Sequence, residues 1–171
     1  MPSNKPLGFD PIIEARRQWV EHGWPVAADG MAAVTSVMRA QQVLIAEVDQ
    51  VLEPFELTFA RYELLVLLLF SRRGALPLGK IGARLQVHPA SVTNAVDRLE
   101  TQRLVARRPH PTDGRTILAA ITARGRRTAQ DATAALNDAV FAALGLSPHD
   151  LEDLFRVLRK LRIRAGDFAT T

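Results

Sequence analysis

Apolar residues fall at Val34, Val37, Met38, Leu44, Ile45, Val48 and Leu52, with Gln41 a polar exception at a stripe position. Spacings of three and four predict an amphipathic helix over 31–52, closed by Pro54. A shorter helix is predicted from Pro11, capped by Asp10, to about His22, where Gly23 stops it. Pro25 and Gly30 are expected to separate the two helices. Residues 1–8, with two prolines, Ser3 and Asn4, read as disordered. The segment 59–71 is apolar on nearly every side, so its pattern alone also fits a buried strand. Leucine dominates it over β-branched residues, and Thr58 stands at a capping position. A helix at the centre of the core is therefore predicted.

Beyond it, Pro77 is expected to open a short helix with Leu78, Ile81 and Leu85 facing inward. Pro89 occupies the first position of the next helix, where its missing N–H costs nothing. Val92, Val96 and Leu99 form that helix's buried stripe, flanked by Ala95. Residues 104–106 and 116–118 read as two short strands around a turn containing Asp113-Gly114. Thr122 is expected to cap an alanine-rich helix. Ser147-Pro148-His149-Asp150 is a start signal for the last helix, whose stripe is Leu151, Leu154, Phe155, Leu158 and Leu161. Helix, tight turn, helix, strand, basic loop and strand, in that order, describe a winged helix-turn-helix. The second helix of such an element fits the DNA major groove. The expected fold is mainly α, with a two-stranded β-hairpin wing. One domain is expected over 1–171, with 57–121 the DNA-binding part.

Composition narrows the chemistry. The 171 residues include no cysteine, which excludes disulfides, thiolate metal sites and thiol redox sensing. That absence fits a reducing cytoplasm, where the protein is expected. No apolar run reaches the ~18 residues of a membrane span. The start of the chain lacks the basic-then-apolar order of a secretion signal. The net charge is only +4, but arginines crowd 98–127, where acids are few. A local basic patch is the footprint of a nucleic-acid binder, although a plain solvated surface fits the charge equally well. The four histidines lie far apart and none forms a ligand pair at helical spacing, so no metal site is expected. No phosphate loop, HExxH or nucleophile elbow is present, so neither enzyme nor cofactor chemistry is expected.

On the helix from Pro89, the side opposite Val92, Val96 and Leu99 carries Ala90, Asn94, Asp97, Arg98 and Thr101, with Ser91 and Thr93 on the shoulders. Asn pairs with adenine, Arg with guanine, and Ser or Thr with phosphate or base edges. The small Ala90 permits close approach. An amphipathic helix with a merely solvated face is the competing reading. In the loop, Arg108, His110 and Arg115 surround a Pro-x-Pro pair and the Asp-Gly turn. Arg115 suits a narrow minor groove, where the negative potential is enhanced. Asp113, an anion beside DNA, is expected to orient the Arg115 guanidinium. An ordinary turn in which its carboxylate caps backbone N–H groups is the other reading, and both can hold together, since the cap and the ion pair use different carboxylate oxygens.

Four segments together resemble the MarR family of bacterial transcriptional regulators. They are Leu57-Thr58, Pro-Ala-Ser-Val-Thr-Asn-Ala-Val-Asp-Arg-Leu-Glu over 89–100, Asp113-x-Arg115, and Ile121-Thr122-x-x-Gly125. The resemblance covers roughly 31–161. It implies a helical protein with a small winged hairpin, and an obligate homodimer whose N- and C-terminal helices interlock, 10–53 and 122–163 being the dimerisation helices. It also implies that 89–101 lies in the major groove while Asp113 and Arg115 set the wing in the minor groove. His88 departs from the family, which places Ser, Thr or Asp there. A neutral imidazole caps poorly, which predicts a weak or mildly pH-sensitive helix start, unless His88 only meets solvent or phosphate. The helix over 11–22 is longer than the family core requires and, with Trp19 and Trp24, is expected to add dimer surface.

The expected partners are duplex DNA with a pseudo-palindromic operator, a second copy of the chain, and a small aromatic or anionic effector. Trp24, Phe55, Phe59 and Tyr62 are the candidate effector-lining residues, with plain core packing as the alternative. The expected role is a sequence-specific, dimeric, ligand-responsive repressor. Its DNA contacts would come from Pro89, Ala90, Ser91, Thr93, Asn94 and Arg98 together with Arg108, His110, Asp113 and Arg115. A winged helix that docks a protein or RNA is the rival.

Overall fold

The computed structural model describes residues 7–169. Seven helices and three short strands follow one another in this part of the chain. The reading of 1–8 as disordered falls almost entirely outside it. Helix α1 (Pro11–Glu21) starts where expected, with the Asp10 carboxylate accepting from the Ile12 and Ile13 N–H groups. Helix α2 spans Pro25–Leu52, six residues more at its start than the apolar series predicts. Pro25 sits at its first turn and begins the helix, where the sequence reading had it as a break. Gly30 lies inside, because the helix is long enough to absorb one weak former.

A short 3-10 turn at Glu53–Phe55 redirects the chain into α3 (Phe59–Leu69). Thr58 has the extended backbone of an N-cap, but its side chain makes no cap bond. The Phe59 N–H is taken instead by the Asp49 carboxylate of α2, at 3.1 Å. The cap thus comes from a neighbouring helix, and local sequence could not show it. Leu64, Leu65 and Leu68 are fully buried, while Phe70, just past the helix end, is exposed. At roughly 1.5–3 kcal/mol per buried side chain, these leucines are a main source of cohesion.

Strand β1 (Ala75–Pro77) was not foreseen. It runs antiparallel to β3 (Ile117–Ile121), which also pairs with β2 (Val105–Pro109), giving the order β1-β3-β2. The expected two-stranded hairpin is therefore part of a three-stranded sheet. The three residues of β1 are too few to show an alternation of their own. Pro77 ends that strand and serves as cap residue of α4 (Leu78–Leu85), not as its first residue. Helix α5 (Pro89–Thr101) matches the expected bounds, and Val92, Val96 and Leu99 are buried.

Helix α6 (Ala123–Leu136) is capped by the Thr122 hydroxyl, which accepts from the Gly125 N–H at 2.9 Å. A Cβ on Gly125 would lie 2.1 Å from the Leu104 carbonyl oxygen, so this close helix–strand approach tolerates only glycine. The helix continues through a π turn, Asn137–Phe141. Helix α7 (Pro148–Arg164) opens on the expected capping box of Ser147 and Asp150. One core gathers residues of α2, α3, α4, α5, the sheet and α6. Helices α1 and α7 contribute no buried residue to it.

Candidate nucleic-acid interface

Helices α4 and α5 are joined by the turn 86–88. Gln86 adopts the left-handed backbone at φ 54° and ends α4, and the Val87 N–H returns to the Gly82 carbonyl at 3.1 Å. A Cβ on Gly82 would press on the Val87 carbonyl and Val92 at 3.3 Å, so glycine lets the two helices close. His88 caps α5: its Nδ1 accepts from the Ala90 N–H at 3.2 Å. The alternative of a histidine that meets only solvent or phosphate does not hold. The bond needs a neutral ring, because a protonated imidazole has no acceptor.

Pro89, Ala90, Ser91, Thr93, Asn94, Asp97 and Arg98 are all exposed on α5. The Thr93 hydroxyl donates to the Pro89 carbonyl at 3.1 Å, so it is partly engaged by its own helix. A cleft of about 580 Å³ lies beside this face between Thr58, Ala60, Arg61, Ser91, Asn94 and Arg98. Arg61 adds a cation there that the sequence reading did not single out.

The wing turn is built by Asp113. One carboxylate oxygen accepts from the Arg115 N–H at 3.1 Å and the other from the Thr116 hydroxyl at 2.6 Å. The Thr116 N–H returns to the Asp113 carbonyl, and the His110 N–H donates to the Thr116 carbonyl, both at 3.0 Å. These bonds hold the Asp113 carboxyl below its ordinary range, the Thr116 hydroxyl first and the Arg115 N–H next. Asp113 makes no ion pair with the Arg115 guanidinium. Of the two roles expected of it, the turn cap holds and the orienting ion pair does not: both oxygens are spent on the turn, and Asp113 shapes the backbone that carries Arg115. His110 is half-buried and its Nδ1 faces the Thr112 hydroxyl and N–H. Among the described residues, Arg98, Arg108 and Arg115 have no ion-pair partner, so their charge is free.

Arg107 behaves differently. Its guanidinium bridges Asp97 and Glu100 of α5, at 2.6 and 2.5 Å, and ties the base of the wing to that helix. A signal for this was present in the chain. Strand alternation puts Arg107 on the same face as buried Val105, away from Arg108. Eight arginines lie within 98–127, and that crowding hid the one turned toward the helix.

The aromatic residues do not form the single pocket expected. Phe59 stacks on Tyr62 at 6.2 Å, and the Tyr62 hydroxyl shares a hydrogen bond of 3.0 Å with Thr133 of α6. Phe55 packs against the same core. Trp24 instead pairs with Trp19, 5.5 Å away, at the junction of α1 and α2. The 28-residue α2 lies between Trp24 and Phe55 and spans roughly 42 Å at 1.5 Å per residue, so one chain cannot bring the four together. Among the described residues no metal-ligand cluster occurs, and no helix is long and apolar enough to cross a membrane.

A recognition-type helix after a tight turn, followed by a basic hairpin, defines a winged helix-turn-helix protein. The MarR family model matches residues 59–117. Sco5413, a MarR family transcriptional regulator from Streptomyces coelicolor, is 52% identical and superposes with a TM-score of 0.76, over 83% of this chain and 99% of that one. The Bacillus subtilis regulator MhqR is 32% identical over 109 residues, 62% of this chain and 74% of MhqR. YhbI of the same organism is 34% identical over 82 residues, which span 48% of this chain and about half (52%) of YhbI. The chain belongs to the MarR family of transcriptional regulators. Two further solved members are informative. Sco3205 of S. coelicolor, in complex with DNA, is 25% identical with a TM-score of 0.66, over 93% of this chain and 91% of its own. CouR of Rhodococcus jostii, bound to p-coumaroyl-CoA, is 26% identical with a TM-score of 0.66, over 79% and 92%.

Proposed function

We propose that the protein is a homodimeric repressor that reads a pseudo-palindromic operator in duplex DNA and responds to a small aromatic or anionic effector. One observation carries the reading. Arg98, Arg108 and Arg115 are unpaired among the described residues and sit on a helix and a wing joined through Arg107. Cations left free of acids on adjoining exposed surfaces suit a polyanion. Asn94 and Arg98 take base edges in the major groove, with Ser91 and Thr93 on edges or phosphates and Pro89 and Ala90 giving close approach. Arg115 enters the minor groove on the turn that Asp113 builds, and Arg108 and His110 meet phosphate. The DNA complex of Sco3205 supports this use of the fold.

The dimer is supported by the exposed apolar faces of α2 and α7, with Met38 and Phe155 among the most open. Twofold symmetry then places two recognition helices about one DNA turn, ~34 Å, apart. The effector reading draws on CouR and its p-coumaroyl-CoA. Phe55, Phe59 and Tyr62 remain its candidate lining in one chain, with Trp24 reaching them only from a second copy. We place the protein in the cytoplasm, as a non-enzymatic single domain without a cofactor.

Selection of bound fragments from genomic duplex DNA at fixed salt, with single-stranded RNA and a polyanion as controls, tests the proposal. Enrichment of a palindromic site is expected. Equal binding of all three polymers, or of RNA alone, would overturn it in favour of the rival winged-helix modules.

A further inference from the structure

Arg107 lies in the middle of β2, within a run of arginines that reads as a DNA-facing strip. Its surroundings set it apart from Arg108. The side chain is only 28% exposed, and both guanidinium arms are engaged by α5. Nη2 donates to Asp97 Oδ1 at 2.6 Å and Nη1 to Glu100 Oε2 at 2.5 Å. The Arg107 backbone N–H donates to the other Glu100 oxygen at 3.0 Å. One wing residue therefore holds α5 at two places, three residues apart, through three bonds.

The acids explain why this matters. Asp97 is on the exposed face of α5, beside Arg98 and one turn beyond Asn94. An uncompensated carboxylate there would repel a polyanion. Arg107 answers both Asp97 and Glu100. Its N–H first, and its guanidinium second, hold the Glu100 carboxyl below its ordinary range. A forked, planar cation can bridge two carboxylates in a way a single ammonium cannot.

We infer that Arg107 is a positioning residue: it fixes the wing against α5 and masks Asp97 and Glu100, and does not itself contact nucleic acid. The inference rests on the duplex-reading function proposed above.

Four variants separate it from an ordinary phosphate contact. Arg107→Lys keeps the charge, Glu100→Gln removes an acid next to the bound polymer, and Arg107→Ala and Arg108→Ala remove one cation each. Affinity for a selected duplex is measured across a salt series, and amide exchange of β2 and α3 in the free protein. Arg107→Lys and Glu100→Gln should each weaken binding about tenfold, and Arg107→Ala should do so with little change in salt slope. Arg108→Ala should lower the slope by about 0.9, the signature of one lost phosphate contact. In the free protein, the amides of β2 should exchange faster in Arg107→Lys and Glu100→Gln while those of α3 stay unchanged, which also shows that the variants fold.

The inference is overturned if Arg107→Lys binds like the parent, if Glu100→Gln binds more tightly, or if Arg107→Ala lowers the slope as Arg108→Ala does. Should the parent protein bind no duplex, the functional proposal fails alone. The exchange data then decide, and unchanged β2 amides sink the positioning role.

Discussion

The winged-helix part and the terminal helices are built from similar amounts of apolar residue but end in opposite states. In α3, α4, α5 and the sheet, nearly every large apolar side chain reaches the common core, and Leu65, Leu68, Ile81, Val96 and Leu99 are completely covered. In α2 the predicted stripe splits. Val48 and Leu52 are buried, whereas Val34, Val37, Met38, Leu44 and Ile45 stand in the open, Met38 at 60%. Most of α7 follows the second pattern, with Leu158 of its stripe half-buried. Leu151, Leu154, Phe155 and Leu161 lie on its expected stripe and are exposed, Phe155 at 63%. Among the described residues, α7 also packs extensively against no other element. The first region is complete within one chain. The second presents a patterned apolar face that its own chain leaves exposed, the condition that a twofold partner relieves.

The comparison can be broken most severely in the finished region. Leu65→Ala should cost about 2–5 kcal/mol of unfolding free energy, read by denaturant titration, because a fully covered leucine leaves a cavity. A loss below 1 kcal/mol would mean that this core is looser than its burial indicates.

Leu154→Asp combined with Leu161→Asp should leave the far-ultraviolet signal of the winged helix nearly intact. It should turn the proposed dimer into a monomer by sedimentation and lower affinity for the proposed operator on the order of 10²-fold as a second half-site is uncoupled. If the doubly charged variant still sediments as a dimer, α7 is not the partner surface.

Within the interface the effects are smaller. Arg115→Ala should weaken operator binding by about 1–3 kcal/mol at matched salt, and undiminished affinity would remove Arg115 from the groove. Smaller again is the effect of acid on the wing. Asp113 has its carboxyl lowered in the folded turn, so its contribution is present above the ordinary aspartate range and fades as pH falls through the lowered value. Wing amide exchange should therefore be flat with pH around neutrality and rise only in acid. Asp113→Asn should remove that acid dependence, and a rise that persists in the variant would assign it elsewhere.

The recognition helix was legible almost to the residue, because its signals are local. Pro89 presets its first turn, and Val92, Val96 and Leu99 repeat at helical spacing. The wing was legible as a hairpin from Asp113-Gly114, and the capping box of Ser147 and Asp150 lies within four residues of chain. Other features depend on residues far apart. Asp49 caps α3 from ten positions away, and β1 is a strand only because β3 passes beside it. Pro25 is expected from the sequence to separate two helices, yet it opens α2, because a proline is tolerated in a helix's first turn as readily as between helices. At the candidate interface the sequence named the exposed cations and the turn that Asp113 caps, but not that both its oxygens go to that turn and none to the Arg115 guanidinium. Carboxylate oxygens choose partners by angle and distance, which residue types do not reveal.

The order of residues alone determined the helical periods, the caps and the basic hairpin, and from them the winged-helix class. Short-range sterics and hydrogen bonding set these, whatever surrounds them. Which apolar stripes close into a core, which stay open for a partner, and which arginine turns inward to bind α5 were decided only by tertiary structure. Burial and ion pairing depend on what the rest of the chain brings to within a few ångströms.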